Sequence, residues 1–304
     1  MGLLDGRVAI ITGAGRGIGA SLARIMAAEG CAVLVNDLGV DVDGAGQDTG
    51  PAATVVDEIV AAGGVAKANF ADVSDYKAAE GILQAALDEF GRADVLVNVA
   101  GILRDRMVFN MSEEEWDAVI RVHLKGTFNT CKHASVYWRK ERRGQYRIIN
   151  FTSGSGLFGA PGQPNYAAAK LGIVGFTYSL ANSLGAYGVT ANAIAPGAAT
   201  RMTATIPDAR RRNLGMNQED PVRSPDNIAP PVVYLASEQS EWLTGRVIGA
   251  SGYRISLYNN PEVIREVSTP EPWKLEDAFA AMERSFRPAI EGRRGFGAPR
   301  KKKD

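Results

Sequence analysis

The chain has 304 residues, in which 34 Lys plus Arg balance 34 Asp plus Glu, with 45% hydrophobic and 22% charged residues. This is the profile of an ordinary soluble globular protein and argues against a disordered chain. A sequence pI near 6.8 supplies no global field for gripping DNA or RNA, so no nucleic-acid partner is expected.

Short apolar runs alternate with helix-length amphipathic segments, the pattern of βα repeats around a parallel sheet. Arg7-Val-Ala-Ile-Ile-Thr12 reads as a first strand, and the Gly-rich turn behind it opens a helix through about Glu29. Ala32 to Asp37 is a second strand, followed by a long polar loop over 38–50 that holds four Gly and three Asp. A helix from about Ala52 to Ala62 leads into a third strand, Val65 to Phe70, and another helix ends near Gly91 ahead of a fourth strand, Val95 to Val97. Glu113 to Glu141 is helical in pattern, Arg147 to Phe151 is strand five, Asn165 to Tyr187 is a long helix, and Thr190 to Ala195 is strand six. Residues 198–225 are irregular, with a run Arg210-Arg-Arg212, before a helix from Pro225 to Ala236 and a seventh strand, Arg246 to Gly249.

The strongly apolar strands imply helices on both faces of the sheet. The expected fold is therefore α/β, a single doubly wound domain with a seven-stranded parallel sheet over residues 1–252, and a C-terminal extension over 253–304. That extension holds a helix from Leu275 to Phe286 and a basic tail. From Arg287 onward the tail carries Arg287, Arg293, Arg294, Arg300, Lys301, Lys302 and Lys303 against Glu291 and Asp304. Two cysteines, Cys31 and Cys131, are too few for a disulfide framework and read as small buried hydrophobes. With only His123 and His133 besides, no metal site is expected. No apolar run has the length of a membrane helix, and the first residues lack a signal-peptide pattern, so the expected location is cytoplasmic, with no membrane association.

The turn Thr12-Gly-Ala-Gly-Arg-Gly-Ile-Gly19 follows a strand and opens a helix. Gly13, Gly17 and Gly19 allow a sharp turn and close approach of a pyrophosphate, with Arg16 and Ile18 in the same loop and helix N–H groups aimed at the phosphates. Asp37 ends the second strand 18 residues after Gly19. A carboxylate there accepts both ribose hydroxyls of NAD and repels the 2′-phosphate of NADP. Arg16 pulls the other way, since it is able to pair with a 2′-phosphate. Asp37 sits at the ribose, so NAD is the expected cofactor.

Ser153 lies just past strand five, Tyr166 comes 13 residues later, and Lys170 is at i+4 from the tyrosine. On one helix face, the Lys170 ammonium can sit beside the Tyr166 phenol and is expected to lower its pKa. A tyrosine tuned in this way can take the proton of an alcohol during hydride transfer, with Ser153 fixing the substrate oxygen.

These residues resemble the short-chain dehydrogenase/reductase family: Thr12-Gly-x-x-x-Gly-x-Gly19, Asp72-Val73, Asn98-Val-Ala-Gly101, Ser153, Tyr166-x-x-x-Lys170 and Pro196-Gly197, spanning about residues 5–252. The resemblance implies a Rossmann fold. It also implies that Asp72 and Val73 meet the adenine, that Asn98, Ala100 and Gly101 line the cofactor, and that Pro196 and Gly197 flank the nicotinamide. Thr200 would bond the carboxamide, at a spacing one residue shorter than the family's. Val99 stands where the family has a second Asn. His123, in Val122-His-Leu-Lys-Gly126, stands where the family has an Asn whose backbone carbonyl holds a relay water. His123 is thus either a relay residue or a satisfied core histidine.

A narrower resemblance is to the (3R)-hydroxyacyl-CoA dehydrogenase, or 17β-hydroxysteroid dehydrogenase-like, part of the multifunctional β-oxidation enzyme. It rests on Val35-Asn-Asp-Leu-Gly39, the loop after it, Ala100-Gly-Ile-Leu-Arg-Asp-Arg106, His123 and Arg201-Met-Thr203. It implies an NAD-dependent oxidation of a secondary alcohol on a large apolar small-molecule substrate, an acyl-CoA or a steroid. Arg210 to Arg212 or the basic tail would then meet the CoA phosphates. A 3-oxoacyl-carrier-protein reductase is disfavoured by Asp37, and a non-catalytic NAD-binding scaffold or sensor by the intact Ser153, Tyr166 and Lys170. The family habit implies a homodimer or homotetramer, with Ile173, Phe176 and Leu180 either at its interface or in the core.

Overall fold

A computed structural model of the chain describes residues 2–46, 48–142, 144–198 and 220–291. Thr200, Arg201 to Thr203, Arg210 to Arg212 and the tail beyond Glu291 lie outside the described residues. The chain divides into two compact units, Met1–Tyr258 and Asn259–Asp304.

In the first unit the strands are β1 (Val8–Thr12), β2 (Ala32–Asn36), β3 (Ala66–Asn69), β4 (Val95–Asn98), β5 (Tyr146–Phe151), β6 (Val189–Gly197), β7 (Val247–Ser251) and β8 (Arg254–Tyr258). They form one sheet in the order β3-β2-β1-β4-β5-β6-β7-β8. Seven strands run parallel, and β8 turns back antiparallel to β7, with Val247 opposite Tyr258. The expected seven-stranded sheet is corrected to eight strands. The turn Gly252-Tyr253, with Gly252 at φ 56°, reverses the chain tightly enough to add a hairpin strand.

Both faces of the central strands are dry, as period-two alternation requires. Ile11, Val33, Val35, Val97 and Ile149 pack on one side with α1 (Gly17–Ala28), α2 (Gly50–Ala61) and α8 (Ala229–Ala236). Their neighbours Ile10, Leu34, Leu96 and Ile148 point to the other side, among residues of α3 (Tyr76–Phe90), α5 (Gly126–Glu141) and α7 (Pro164–Leu184). Each such side chain contributes roughly 1.5–3 kcal/mol on burial. On α7, Ile173 and Leu180 are buried and Phe176 packs against this second cluster, so all three belong to the core.

The predicted single helix over 113–141 is interrupted. A capping box of Ser112 and Glu115 starts α4 (Glu113–Ile120), and one wider π turn, Arg121–Lys125, separates it from α5. A short helix that the sequence pattern does not announce, α6 (Gly154–Phe158), follows β5. In the second unit, α9 (Leu275–Ile290) runs one turn beyond its predicted end and pairs Arg287 with Glu283. Among the described residues, no helix is long and apolar enough to cross a membrane.

The strand order reverses between β1 and β4, the place where open α/β sheets leave a crevice at the strands' carboxyl ends. There the register sets Thr12 beside Asn36 and Asn98, and Asn98 beside Asn150.

Candidate active site

A cleft of about 300 Å³ opens over that switch point, and it is lined from the loops behind β1, β2, β3, β4 and β5. Gly13, Arg16, Gly17, Ile18 and Gly19 form one wall, Asp37 and the 38–44 loop the next, Asp72 and Val73 the third. Ala100, Gly101, His123, Tyr166, Lys170 and Pro196 close the far end.

The glycine loop fits a dinucleotide because side chains would fill it. A Cβ on Gly13, whose φ is 66°, would stand 2.7 Å from the Ala100 Cα, and one on Gly19 would stand 2.1 Å from the Gly13 carbonyl oxygen. The loop therefore packs backbone on backbone and leaves its outer side for a ligand. Helix α1 starts there with no acidic residue in its first turn, so its N–H groups and dipole favour an anion.

Asp37 is held by two backbone donors: Gly15 N–H donates to Oδ2 at 2.8 Å and Gly39 N–H to Oδ1 at 2.7 Å. Arg16 turns away from it. Its guanidinium donates to the Val40 carbonyl at 3.3 Å and meets the Asp48 carboxylate at 3.4 Å. The 38–50 loop that receives Arg16 is itself pinned to the segment after β4. Leu103 N–H donates to the Val42 carbonyl at 2.8 Å, and Arg104 Nε to the Asp43 carbonyl at 2.5 Å. Val42, Asp43 and Gly44 thus join the cleft wall; the sequence signalled them only as a polar, Gly-rich loop.

Asp72 accepts from the backbone and hydroxyl of Ser74, at 2.7 and 2.9 Å, at the adenine end implied by the family. Asn98 is placed differently from the expectation. Its side chain is buried, accepts from Thr130 Oγ1 at 2.7 Å and donates to Asn150 Oδ1 at 2.9 Å, so it ties β4 to α5 and β5 rather than facing the cleft. Gly197 also lies off the cleft wall and packs against Ser251, whose Oγ a Cβ would meet at 2.4 Å.

At the chemical end, Ser153 caps α6 by accepting from Ser155 N–H at 3.1 Å and hydrogen-bonds the Tyr166 phenol. Lys170 is buried; its Nζ donates to the Phe151 carbonyl at 2.7 Å and stands 5.7 Å from the centre of the Tyr166 ring. Burial dominates both groups. It pushes the Tyr166 phenol up to about 12, against the lowering hydrogen bond from Ser153, and pushes Lys170 down to about 7. The expected lowering of Tyr166 by Lys170 is therefore not found in the protein alone, because the same desolvation that surrounds the phenol removes charge from the amine.

His123 sits in the π turn, fully buried. Its Nε2 is 2.8 Å from the Ile102 carbonyl oxygen and 3.1 Å from the Ile102 nitrogen, donating to the carbonyl in one tautomer and accepting from the Ile102 N–H in the other. Nδ1 is a buried ring nitrogen without a protein partner among the described residues. Burial, then the nearby Lys170, lower its pKa to about 3, so the ring is neutral. The two thiols are buried as well, and burial raises both to about 12.

The short chain dehydrogenase family model matches residues 7–211. The chain is 42% identical to the hydroxyacyl-CoA dehydrogenase ChsB1 of Mycobacterium tuberculosis over 275 residues, covering 87% of this chain and 83% of that protein. It is 41% identical to the peroxisomal hydratase-dehydrogenase-epimerase of Neurospora crassa over 254 residues, 83% of this chain, yet spans only 27% of that longer protein. A crystal structure of a short chain dehydrogenase from Mycobacterium avium superposes with a TM-score of 0.84 at 42% identity, covering 98% of this chain and 100% of that one. The chain belongs to the short-chain dehydrogenase family, oxidoreductases that act on CH–OH groups.

Proposed function

We propose that the protein oxidises a (3R)-hydroxyacyl-CoA to the 3-oxoacyl-CoA with NAD as acceptor. The observation that carries the reading is the Tyr166 phenol, hydrogen-bonded to Ser153 and beside Lys170, at the end of a cleft whose other end presents the Asp37 carboxylate. The acyl-CoA class is supported by the name of the Mycobacterium tuberculosis relative, which aligns with most of its length. NAD over NADP is supported by Asp37, fixed by two backbone donors, and by Arg16 being engaged with Val40 and Asp48.

Bound NAD supplies the hydride acceptor. Tyr166 Oη takes the hydroxyl proton of the substrate as the carbon gives up its hydride, and Ser153 Oγ donates to the same substrate oxygen. Lys170, anchored on the Phe151 carbonyl and beside the phenol ring, would meet the nicotinamide ribose. His123 is kept as a relay residue: its place in the π turn sets the backbone carbonyl that the family uses for a water, and its Nδ1 is left without a protein partner among the described residues. Arg210 to Arg212 or the basic tail are proposed to meet the CoA phosphates, as guanidinium geometry suits phosphate.

We also propose a cytoplasmic homodimer or homotetramer. Free, buried Cys31 and Cys131 suit a reducing compartment, and exposed Phe128 and Leu171, on the helices either side of β5, suit a subunit contact. The test of the catalytic reading is NADH formation from each enantiomer of a 3-hydroxyacyl-CoA and from a 17β-hydroxysteroid. Turnover of the R thioester supports it; steroid turnover alone would discard the CoA reading and keep the catalytic triple.

A further inference from the structure

The segment after β4 reaches the catalytic turn through side chains that the family motifs leave unassigned. Gln163 Nε2 donates to Asp105 Oδ2 at 2.7 Å, and Ser155 Oγ donates to Gln163 Oε1 at 2.8 Å. Ser155 N–H in turn donates to Ser153 Oγ at 3.1 Å. Two further bonds brace the same strip: Arg106 N–H donates to the Gly162 carbonyl at 2.7 Å, and the Asn165 side-chain Nδ2 to the Arg104 carbonyl at 3.0 Å.

Polarity along this strip follows from chemistry. A carboxylate only accepts, so it fixes which end of the Gln163 amide faces it. The amide oxygen must then face Ser155, whose hydroxyl hydrogen is committed to it. Because the Ser155 N–H occupies a lone pair of Ser153 Oγ, the Ser153 hydroxyl hydrogen is left to donate toward the phenol and the substrate oxygen. We infer that Asp105 is a positioning residue for the reaction: through the Gln163 amide and Ser155 it fixes the direction in which the 153–155 turn presents the Ser153 donor. Without an acceptor at position 105, the amide is free to turn over and donate to Ser155 Oγ; the Ser155 N–H can only donate, so what changes is the placement of the 153–155 turn and with it the position of Ser153 Oγ. Asp105 is exposed, and partial desolvation holds its carboxyl above the usual carboxylate range against the lowering hydrogen bond from Gln163.

The inference rests on the proposed catalytic reading of Ser153 and Tyr166. Its test is therefore run with a secondary alcohol that the full-length enzyme oxidises and Y166F does not, which secures that reading first. At alkaline pH, Q163E sets two carboxylates against each other and removes the donor to Asp105; kcat/KM is expected to fall about tenfold, within the range of coupled neighbours. NAD affinity should be unchanged. The double variant D105N/Q163E restores a donor–acceptor pair in the opposite sense, with the introduced carboxylate still able to accept from Ser155, and should regain most of the loss. Q163M, similar in length with no polar end, should lose as much as Q163E and gain nothing from D105N. A double variant no better than Q163E, or a Q163M enzyme with unaltered kcat/KM, would overturn the inference. Thermal unfolding of each variant is followed alongside, and a rescue seen in melting temperature but not in kcat/KM would equally reject a positioning role.

Discussion

The imidazole of His123 meets the Tyr166 ring edge-on, with centroids 5.1 Å apart and planes at 87°, and its own edge fills the space that Gly101 leaves open. One neutral, buried ring thus touches the proposed base and the cofactor-facing loop together. In the unfolded chain a histidine titrates near 6.5, whereas His123 in the fold does so at about 3. The unfolded state therefore binds a proton that the folded state refuses, so stability falls as pH drops below 6.5. Between pH 7 and pH 5 this residue is expected to cost roughly 2 kcal/mol. Urea unfolding of the wild type and H123N at the two pH values checks it: the acid loss should be smaller in H123N by about that amount.

Gly101 is required by the ring opposite it. A Cβ there would stand 2.1 Å from His123 Cε1. G101A is expected to destabilise the protein by roughly 1–3 kcal/mol, as overpacked cores do. In G101A/H123A the two costs should sum to less than their separate values, because the clash is removed, and chemical denaturation of the four proteins measures that coupling.

Asp37 should set the choice between the two nicotinamide cofactors. D37A removes a fixed negative charge from the ribose end and the acceptor for Gly15 and Gly39. The ratio of kcat/KM with NADP to that with NAD is expected to rise at least about tenfold, a change of ~1.4 kcal/mol. Steady-state assays with both cofactors read this directly.

The raised phenol and lowered amine fix the sense of the pH dependence. Alcohol oxidation needs Tyr166 as a base, and its pKa of about 12 in the protein alone keeps the proton on at neutral pH. The kcat/KM for oxidation should accordingly climb with pH through the neutral and mildly alkaline range, while ketone reduction, which needs the phenol protonated, should not. A pH–rate profile in each direction tests the pair.

Much of the nucleotide end was legible because it depends on local backbone rules: glycines where side chains would clash, a strand, then a helix start. Asp37 was legible for its spacing and Tyr166 and Lys170 for theirs, since helix geometry alone puts them on one face. Other features depend on contacts distant in sequence. Asn98 looked like a cofactor residue by motif, but its partners, Thr130 and Asn150, come from other elements and take up its amide. The π turn around His123 left the helical pattern of residues 113–141 uninterrupted, so nothing local signalled it. β8 did leave a sign, the Gly252-Tyr253 turn with Ile255 and Leu257 alternating after it, but the strand's pairing with β7 decides its existence. The pKa of Tyr166 was misjudged because spacing shows that a cation is near and says nothing of how deeply both groups are buried.

The most direct test is NADH formation from the separate R and S enantiomers of a 3-hydroxyacyl-CoA, with wild type and Y166F side by side. The account expects turnover of the R form by the wild type, and a fall of about 10²–10⁴ in Y166F with NAD affinity retained. Substantial turnover by Y166F, or oxidation of the S form in place of the R form, would contradict it.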